Sequence, residues 1–505
     1  MIASTTTVAF QGIQVLPIDV QVHIRPSSLP TFKVVGLPDK AVGESKERVH
    51  TALHAIGLSL PGKRIVVNLS PADLQKEGNH YDLPIAIALL VGMNVLPADE
   101  IAQYTSLGEL ALDGSISYVS GVLPAAINAS SRDHGLICPA DCGGEAAWAS
   151  DLQILAVSNL IALINHFKGT QVLSQPEPKL LDSSAKLPDL ADIKGQGIGK
   201  RALEITAAGG HNLLMCGPPG AGKSMMAARL PSLLPSLSPE EALEVTMIHS
   251  VAGHLEGKSL IQQRPYRDPH HSASLPSLVG GGLRAKPGEA SLAHRGVLFL
   301  DELPEFQRNA LEALRQPMET GRTTIARANA HVTYPARFQL IAAMNPCRCG
   351  HIDDPDRACT RAPKCALNYQ ARISGPLLDR IDLQIDVPAV KVSDLHLHAA
   401  GEPSTKVRTR VESARAIQRQ RYHSKTESLK ISTNAEADGT VLMRHALPDE
   451  QGQKLLMQAT EKFKLSARGY HRILRVARTL ADLEGYDGVR SEHVAEALGY
   501  RRVNV

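Results

Sequence analysis

Two rhythms of apolar and polar positions divide this chain. Up to about residue 390, short apolar runs alternate with stretches of helical period; beyond it only the helical period persists. Runs at Val8–Gly12, Ile13–Ile24, Lys63–Leu69 and Gln153–Val157 predict strands, with helices at Glu44–Ile56 and Leu83–Leu90 between them. They outline an α/β or α+β unit over 1–170. Residues 171–190 carry Pro176, Pro178 and Pro188 among Ser, Lys and Asp, the composition of a linker. Within 191–390, Asn212–Cys216 and Gly296–Leu300 are nearly continuous apolar runs, as suits central strands of a parallel sheet covered on both faces. Over 391–505 the 3.6-residue period recurs in 405–423, 449–463, 466–483 and 490–499, which predicts a helical end. The fold class is therefore α/β with a helical C-terminal part.

Composition narrows the functional classes. With 505 residues there is room for about three domains, and 43% hydrophobic with 21% charged residues is ordinary for a globular protein. The opening Met1-Ile2-Ala3-Ser4-Thr5-Thr6 lacks the basic-then-apolar layout of a signal peptide, and the longest apolar stretch, Leu83–Met93, is too short to span a bilayer. Seven cysteines, an odd number, argue for a reducing compartment rather than a disulfide scaffold. The expected location is cytoplasmic, with no membrane partner. Net charge of +3 decides little. Aromatics at 4% argue against a base-stacking platform, so any nucleic acid is to be held by its phosphates.

The chemistry concentrates in Gly217-Pro218-Pro219-Gly220-Ala221-Gly222-Lys223-Ser224, which fits the phosphate-binding pattern G-x-x-x-x-G-K-[ST]. Its glycines let backbone N–H groups turn toward one phosphate, Lys223 reaches the β- and γ-phosphates, and Ser224 offers a hydroxyl to Mg²⁺. The strand-like run before it and Met225–Leu230 after it, read as a helix, supply the required strand–loop–helix setting. Gly296–Leu300 ends in Asp301-Glu302, at the strand end where ligands bind in open α/β sheets. Asp301 suits the Mg²⁺ shell, and Glu302 suits orienting and deprotonating an attacking water. These residues predict an ATP-hydrolysing site.

The order of motifs resembles that of AAA+ ATPases, and more narrowly their magnesium-chelatase-like branch. The resemblance lies in Phe306–Leu314 after the acids, Met318-Glu319-Thr320-Gly321, Ala336–Pro346 and Ser374–Asp382. Val34-Val35-Gly36-Leu37-Pro38-Asp39 and Tyr81-Asp82-Leu83-Pro84-Ile85-Ala86 narrow it to the YifB/ComM family, from end to end. The resemblance implies ATP and Mg²⁺ as cofactors, a nucleotide-dependent homo-oligomer (a hexamer), and branch migration of DNA during natural transformation. It implies Asn345 as a polar sensor of the γ-phosphate and Arg380 as an arginine finger given to a neighbour's ATP, whereas the residues alone also allow Arg380 to pair with Asp379 or Asp382. It makes Arg468 the second sensing arginine, with Arg472 and Arg475 on the same helix open as alternatives for that role. A chelatase-type ATPase subunit and a protein-remodelling chaperone share these motor motifs and stay open as alternatives.

The N-terminal unit resembles the Lon protease catalytic domain, an S5-like α/β fold, in Lys76-Glu77-Gly78 and Gly108-Glu109-Leu110. Asp82 stands at the position best matching the nucleophilic serine, and a carboxylate cannot serve as an activated hydroxyl, so no peptidase activity is expected. His80 and Asp82 are read as structural.

Weaker constellations remain. Cys347, Cys349, Cys359 and Cys365 offer four thiols within 347–365, enough for a structural Zn²⁺, although C-x-C departs from paired C-x₂-C spacing and plain reduced thiols are the rival reading. Arg267-Asp268-Pro269-His270-His271-Ser272 has the look of a mechanistic segment, yet adjacent histidines on a loop are usually surface residues. The glycine-rich stretch Val279–Gly288, with Arg284 and Lys286, and the hairpin Thr323–Val332, flanked by Arg322 and including Arg327, are candidate DNA contacts. Finally, Arg408, Arg415 and Arg419 fall within about forty degrees of one another on a helix. They form a basic stripe opposite Val407, Val411 and Ile417, most simply read as a solvated face.

Overall fold

The computed structural model describes residues 2–501 apart from 28, 150, 179–186, 256–259, 283–284, 328–329, 351, 353–362, 390–400 and 424–430. The chain opens with two long antiparallel strands, β1 (Ile2–Gln11) and β2 (Gln14–Arg25), joined through a turn at Gly12. The strand β1 begins six residues before the apolar run, because Thr5 and Thr7 in the polar tract Ser4–Thr7 are buried β-branched residues. Next come β3 (Thr31–Val35), β4 (Arg64–Ser70), β5 (Tyr104–Ser106), β6 (Glu109–Leu110), β7 (Ile116–Ser117), β8 (Gly135–Pro139) and β9 (Ile154–Val157). Seven of these make one mixed sheet in the order β3-β4-β2-β1-β5-β8-β9, while β6 and β7 form a separate ribbon. The helices Lys40–Ala55 and Asp82–Gly92 contribute to the core on one side, which includes Val49, Leu53, Ile85 and Leu89. The helix Val122–Ser130 packs in a second core with Leu136, Cys138 and Ile154.

A second sheet carries β10 (Leu213–Cys216), β11 (Tyr266–Arg267), β12 (Val297–Leu300), β15 (Gln339–Met344) and β16 (Leu383–Asp386). The hairpin of β13 (Arg322–Arg327) and β14 (Ala330–Pro335) stands apart from it. The order is β11-β12-β15-β10-β16 and every pairing is parallel. All strand ends therefore point one way, and the loops that follow Cys216, Leu300 and Met344 leave from one edge.

The predicted helical end is present as Ser404–Tyr422, Glu450–Lys462, Ala467–Leu483 and Ser491–Gly499. These helices share a single core with one face of the parallel sheet: Val411, Leu474 and Leu480 lie in the same cluster as Leu203, Met215 and Ile341. The expected basic stripe does not survive this packing. Arg415 donates to the Ala207 carbonyl at 2.9 Å, and burial pulls its pKa down to about 9. Arg408 bonds Glu412 and Ser236, and Ile417 is not among the buried residues of the helix. A helical wheel cannot tell which of its faces meets a neighbour.

The N-terminal sheet docks on the second unit through buried polar contacts. Ser250, on the helix Pro239–Ala252, donates to Glu145 at 2.5 Å; Glu145 also accepts from the Leu123 amide at 2.9 Å. The Gly121 amide donates to both the Ser250 carbonyl and its hydroxyl. At the other end of this contact, Gly12 lies so close to β14 that an added Cβ would sit 2.9 Å from Val332.

Candidate active site

Gly217–Ser224 leaves the end of β10 and enters the helix Lys223–Ala227. Gly220 (φ 78°) and Gly222 (φ 90°) adopt the left-handed backbone that the curl requires. Lys223 is 7% exposed, and burial lowers its pKa, partly opposed by Asp301. Its ammonium donates to the carbonyls of Gly217 (2.7 Å) and Pro218 (2.9 Å) and to Asn345 Oδ1 (3.2 Å). Asn345 follows β15, which pairs directly with β10, so a residue 122 positions away meets the loop. Ser224 Oγ donates to Asp301 Oδ2 at 2.7 Å, which puts the two expected Mg²⁺ ligands side by side. Asp301 Oδ1 accepts the Glu302 amide, and Glu302 itself is held at φ 50° with an exposed side chain. A non-glycine residue in that region costs free energy and commonly marks a functional site.

One contact was undervalued by sequence reasoning. The strand β11 lies beside β12, so the segment after it returns to the same edge. His271 Nδ1 comes within 3.5 Å of Glu302 Oε2. The Asp268 carboxyl is raised by burial and by the nearby Asp301 charge. The signal was available, since Asp268-Pro269-His270-His271 follows a short strand, but a strand of two residues has no readable period.

The two arginines expected to sense ATP are elsewhere. Arg380 and Arg468 line a cleft of about 630 Å³, and none of the residues described as lining it belongs to Gly217–Ser224. Arg380 donates to the Pro376 carbonyl at 2.6 Å and pairs with Glu319, not with Asp379 or Asp382. Asp379 is taken by Arg472 (3.0 Å) and Asp382 by His211 (3.3 Å). Arg472 is buried and also donates to the Leu378 and Ile381 carbonyls, so it ties the C-terminal helices to the segment that carries Arg380. Arg475 donates to the Ala437 carbonyl and pairs with Asp438, while Arg468 is exposed at the cleft.

Asp82 heads the helix Asp82–Gly92, fully buried, with both oxygens on Arg48 at 2.6 and 2.9 Å and the Leu110 amide on one of them. His80 donates from Nε2 to the Val8 carbonyl at 2.9 Å, and burial keeps its pKa below the ordinary histidine value. Both are bound into the framework.

Among the candidate DNA contacts, Lys286 lines a cavity of about 810 Å³ between the N-terminal sheet and the hairpin, together with Glu77, Glu109 and Tyr334. Arg322 is exposed on β13. Arg284, the Arg327 side chain and Cys359 lie outside the described residues. Cys347, Cys349 and Cys365 come together, their sulfurs all within 4.8 Å of one another. No helix among the described residues is long and apolar enough to cross a membrane.

A parallel sheet in this strand order, with Gly217–Ser224, Asp301-Glu302 and Asn345 at its carboxyl edge, defines the class: a P-loop nucleotide-binding protein of AAA+ type. Family profiles agree along the chain. "Magnesium chelatase, subunit ChlI" matches residues 189–395, "Subunit ChlI of Mg-chelatase" matches 20–142, and "Magnesium chelatase, subunit ChlI C-terminal" matches 401–501. The chain is 42% identical to the YifB protein of Salmonella typhimurium over 504 residues, covering 100% of this chain and 97% of that one. It is 43% identical to the competence protein ComM of Haemophilus influenzae over 499 residues, covering 98% and 96%. The chloroplastic magnesium-chelatase subunit ChlI-2 of Arabidopsis thaliana is 26% identical over 218 residues, 43% of this chain and 45% of that protein. The chain belongs to the YifB/ComM family of magnesium-chelatase-like proteins. Membership in this AAA+ family points to an ATPase that uses ATP and Mg²⁺ and to assembly as an oligomer.

Proposed function

We propose that this protein is an ATP-hydrolysing ring motor that moves branched DNA, a branch-migration helicase serving integration of DNA during transformation or recombination. The reading takes 1–170 as a Lon-like domain without a catalytic serine, 191–390 as the ATPase core and 391–505 as a lid. Gly217–Ser224 bind ATP, Ser224 and Asp301 hold Mg²⁺, Glu302 activates water, and Asn345 orients it. Arg380 acts on the neighbouring subunit's nucleotide, and Arg468 is the second sensing arginine. The observation that carries this is the split site: Lys223, Ser224, Asp301 and Asn345 converge at one sheet edge, while Arg380 and Arg468 share a separate cleft. A site divided in this way is completed when subunits stand side by side in a ring, as a hexamer provides.

DNA as the cargo is supported by full-length similarity to a competence protein and by the basic positions Lys286 and Arg322 beside the hairpin. Phosphate-tracking of this kind loses affinity steeply with added salt.

The test is the steady-state ATPase rate with a four-way junction, single-stranded DNA, linear duplex or no DNA, with Lys223→Ala as the blank. Stimulation by the junction supports the motor. Equal rates under all four conditions would remove DNA from the reading and leave a chelatase-type or protein-remodelling ATPase.

A further inference from the structure

We propose that Cys347, Cys349 and Cys365 bind one Zn²⁺, and that this metal clips the loop after β15 against the phosphate-binding loop. The three thiols come from two places. Cys347 and Cys349 follow β15 directly, and Cys365 sits in the first turn of the helix Lys364–Gln370. All three sulfurs lie within 4.8 Å of one another, and no disulfide joins them. Neutral thiols are weak hydrogen-bonding groups and give little reason to gather three at one point, whereas a soft cation bound by thiolates does. Four sulfurs about 2.3 Å from Zn²⁺ in a tetrahedron stand about 3.8 Å apart. Three thiols gathered within 4.8 Å can close on one ion as three of those corners. The Cys347–Cys349 separation of 3.0 Å is shorter than the tetrahedral spacing but well beyond the bond of about 2.05 Å in a disulfide.

What the metal would hold is visible in the contacts around it. Gly350 turns back on Cys347 through its amide (3.0 Å) at φ 83°, and packs so closely on the phosphate loop that a Cβ would lie 2.7 Å from Pro219 Cδ. Gln370, at the end of the same helix as Cys365, donates to the Pro346 carbonyl at 2.9 Å. Asn345, two residues before Cys347, accepts from Lys223. One tie between Cys347, Cys349 and Cys365 therefore fixes both Asn345 and the covering of Pro219. The helix Lys364–Gln370 is seated by Ala366 and Tyr369, and the metal would add a tie from its first turn to the end of β15. In this role the cysteines are positioning residues: they touch the metal, and the metal positions Asn345.

The full chain, purified without chelator, should carry one zinc per polypeptide by mass spectrometry of the metal, and Cys365→Ser should carry about a tenth of that or less. A variant that fails to fold does not end the test, because the wild-type chain can be stripped with a mercurial and reloaded. Cobalt loading should give a thiolate-to-cobalt charge-transfer band. Stripping should lower kcat for ATP by about tenfold or more, with KM changed far less, and Zn²⁺ should restore it. The kcat arm rests on the ATPase reading, but metal content and the cobalt band do not, so the two can fail separately. Absence of both zinc and the cobalt band, or a Cys347–Cys349 disulfide in the native chain, overturns the metal site. A metal that can be removed from an active enzyme without loss of kcat overturns the clip.

Discussion

Replacing Arg380 separates two roles for one guanidinium. Within the chain it donates to Pro376 and pairs with Glu319, whose side chain is 51% exposed. Arg380 itself is 11% exposed, so the pair is only half open to water and contributes about 1 kcal/mol, the top of the range for exposed pairs. An arginine supplied across a subunit boundary contributes about 10³–10⁵ in rate, equivalent to about 4–7 kcal/mol of barrier. The second quantity exceeds the first several-fold, so giving up Glu319 to reach a neighbour's phosphate costs little beside what it delivers. Glu319→Gln should therefore leave kcat within about fivefold of wild type, whereas Arg380→Ala should lower it by about 10³ or more. The assay is phosphate release at saturating ATP, with sedimentation to verify that each variant still assembles. A mixing experiment adds the decisive arm. In a ring containing Arg380→Ala and Lys223→Ala subunits, some sites pair an intact loop with an intact arginine, so activity should reappear above either variant alone. Arg380→Ala with a rate within fivefold of wild type, or assembled mixtures that recover nothing, would refute the reasoning.

Three further outcomes follow from the geometry. Glu302→Gln should retain nucleotide binding, read with a fluorescent analogue, and lose about 10²–10⁴ in hydrolysis; weakened binding of similar size would instead make Glu302 a ligand. Ser250→Ala removes a 2.5 Å bond to buried Glu145, a loss of about 1–3 kcal/mol for a buried polar group left short of a partner. Faster amide exchange at residues 121–123 and 250 is then expected, and unchanged protection there would show that the docking does not depend on it. His80 and His249 are held neutral, chiefly by burial, below the ordinary histidine value. Below about pH 6.5 the unfolded chain therefore binds protons that the folded one does not, and stability falls as pH falls. The apparent melting temperature should drop between pH 7 and about 5, less steeply in His80→Gln; a flat profile over that range would contradict the assignment.

Much of this protein is written in contiguous stretches. The phosphate loop is legible because its chemistry, glycines for backbone amides and one lysine and one serine, resides in eight consecutive residues. The apolar runs of β10 and β12 and the helical period after residue 404 are equally local. What escaped was either patternless or distant. The polar Thr5 and Thr7 conceal the start of β1, and two-residue β11 has no period to read. Arg415 looked solvated until the helix that bears it was seen packed on Ala207. Only the tertiary structure decided that Asn345 meets Lys223, that His271 meets Glu302, that Arg380 and Arg468 share a cleft apart from the phosphate loop, and that three of the cysteines converge. The physical reason is range. Periodicity and loop chemistry act between neighbours along the chain, whereas the register of parallel strands and the packing of the helices between them bring together side chains that no local pattern connects.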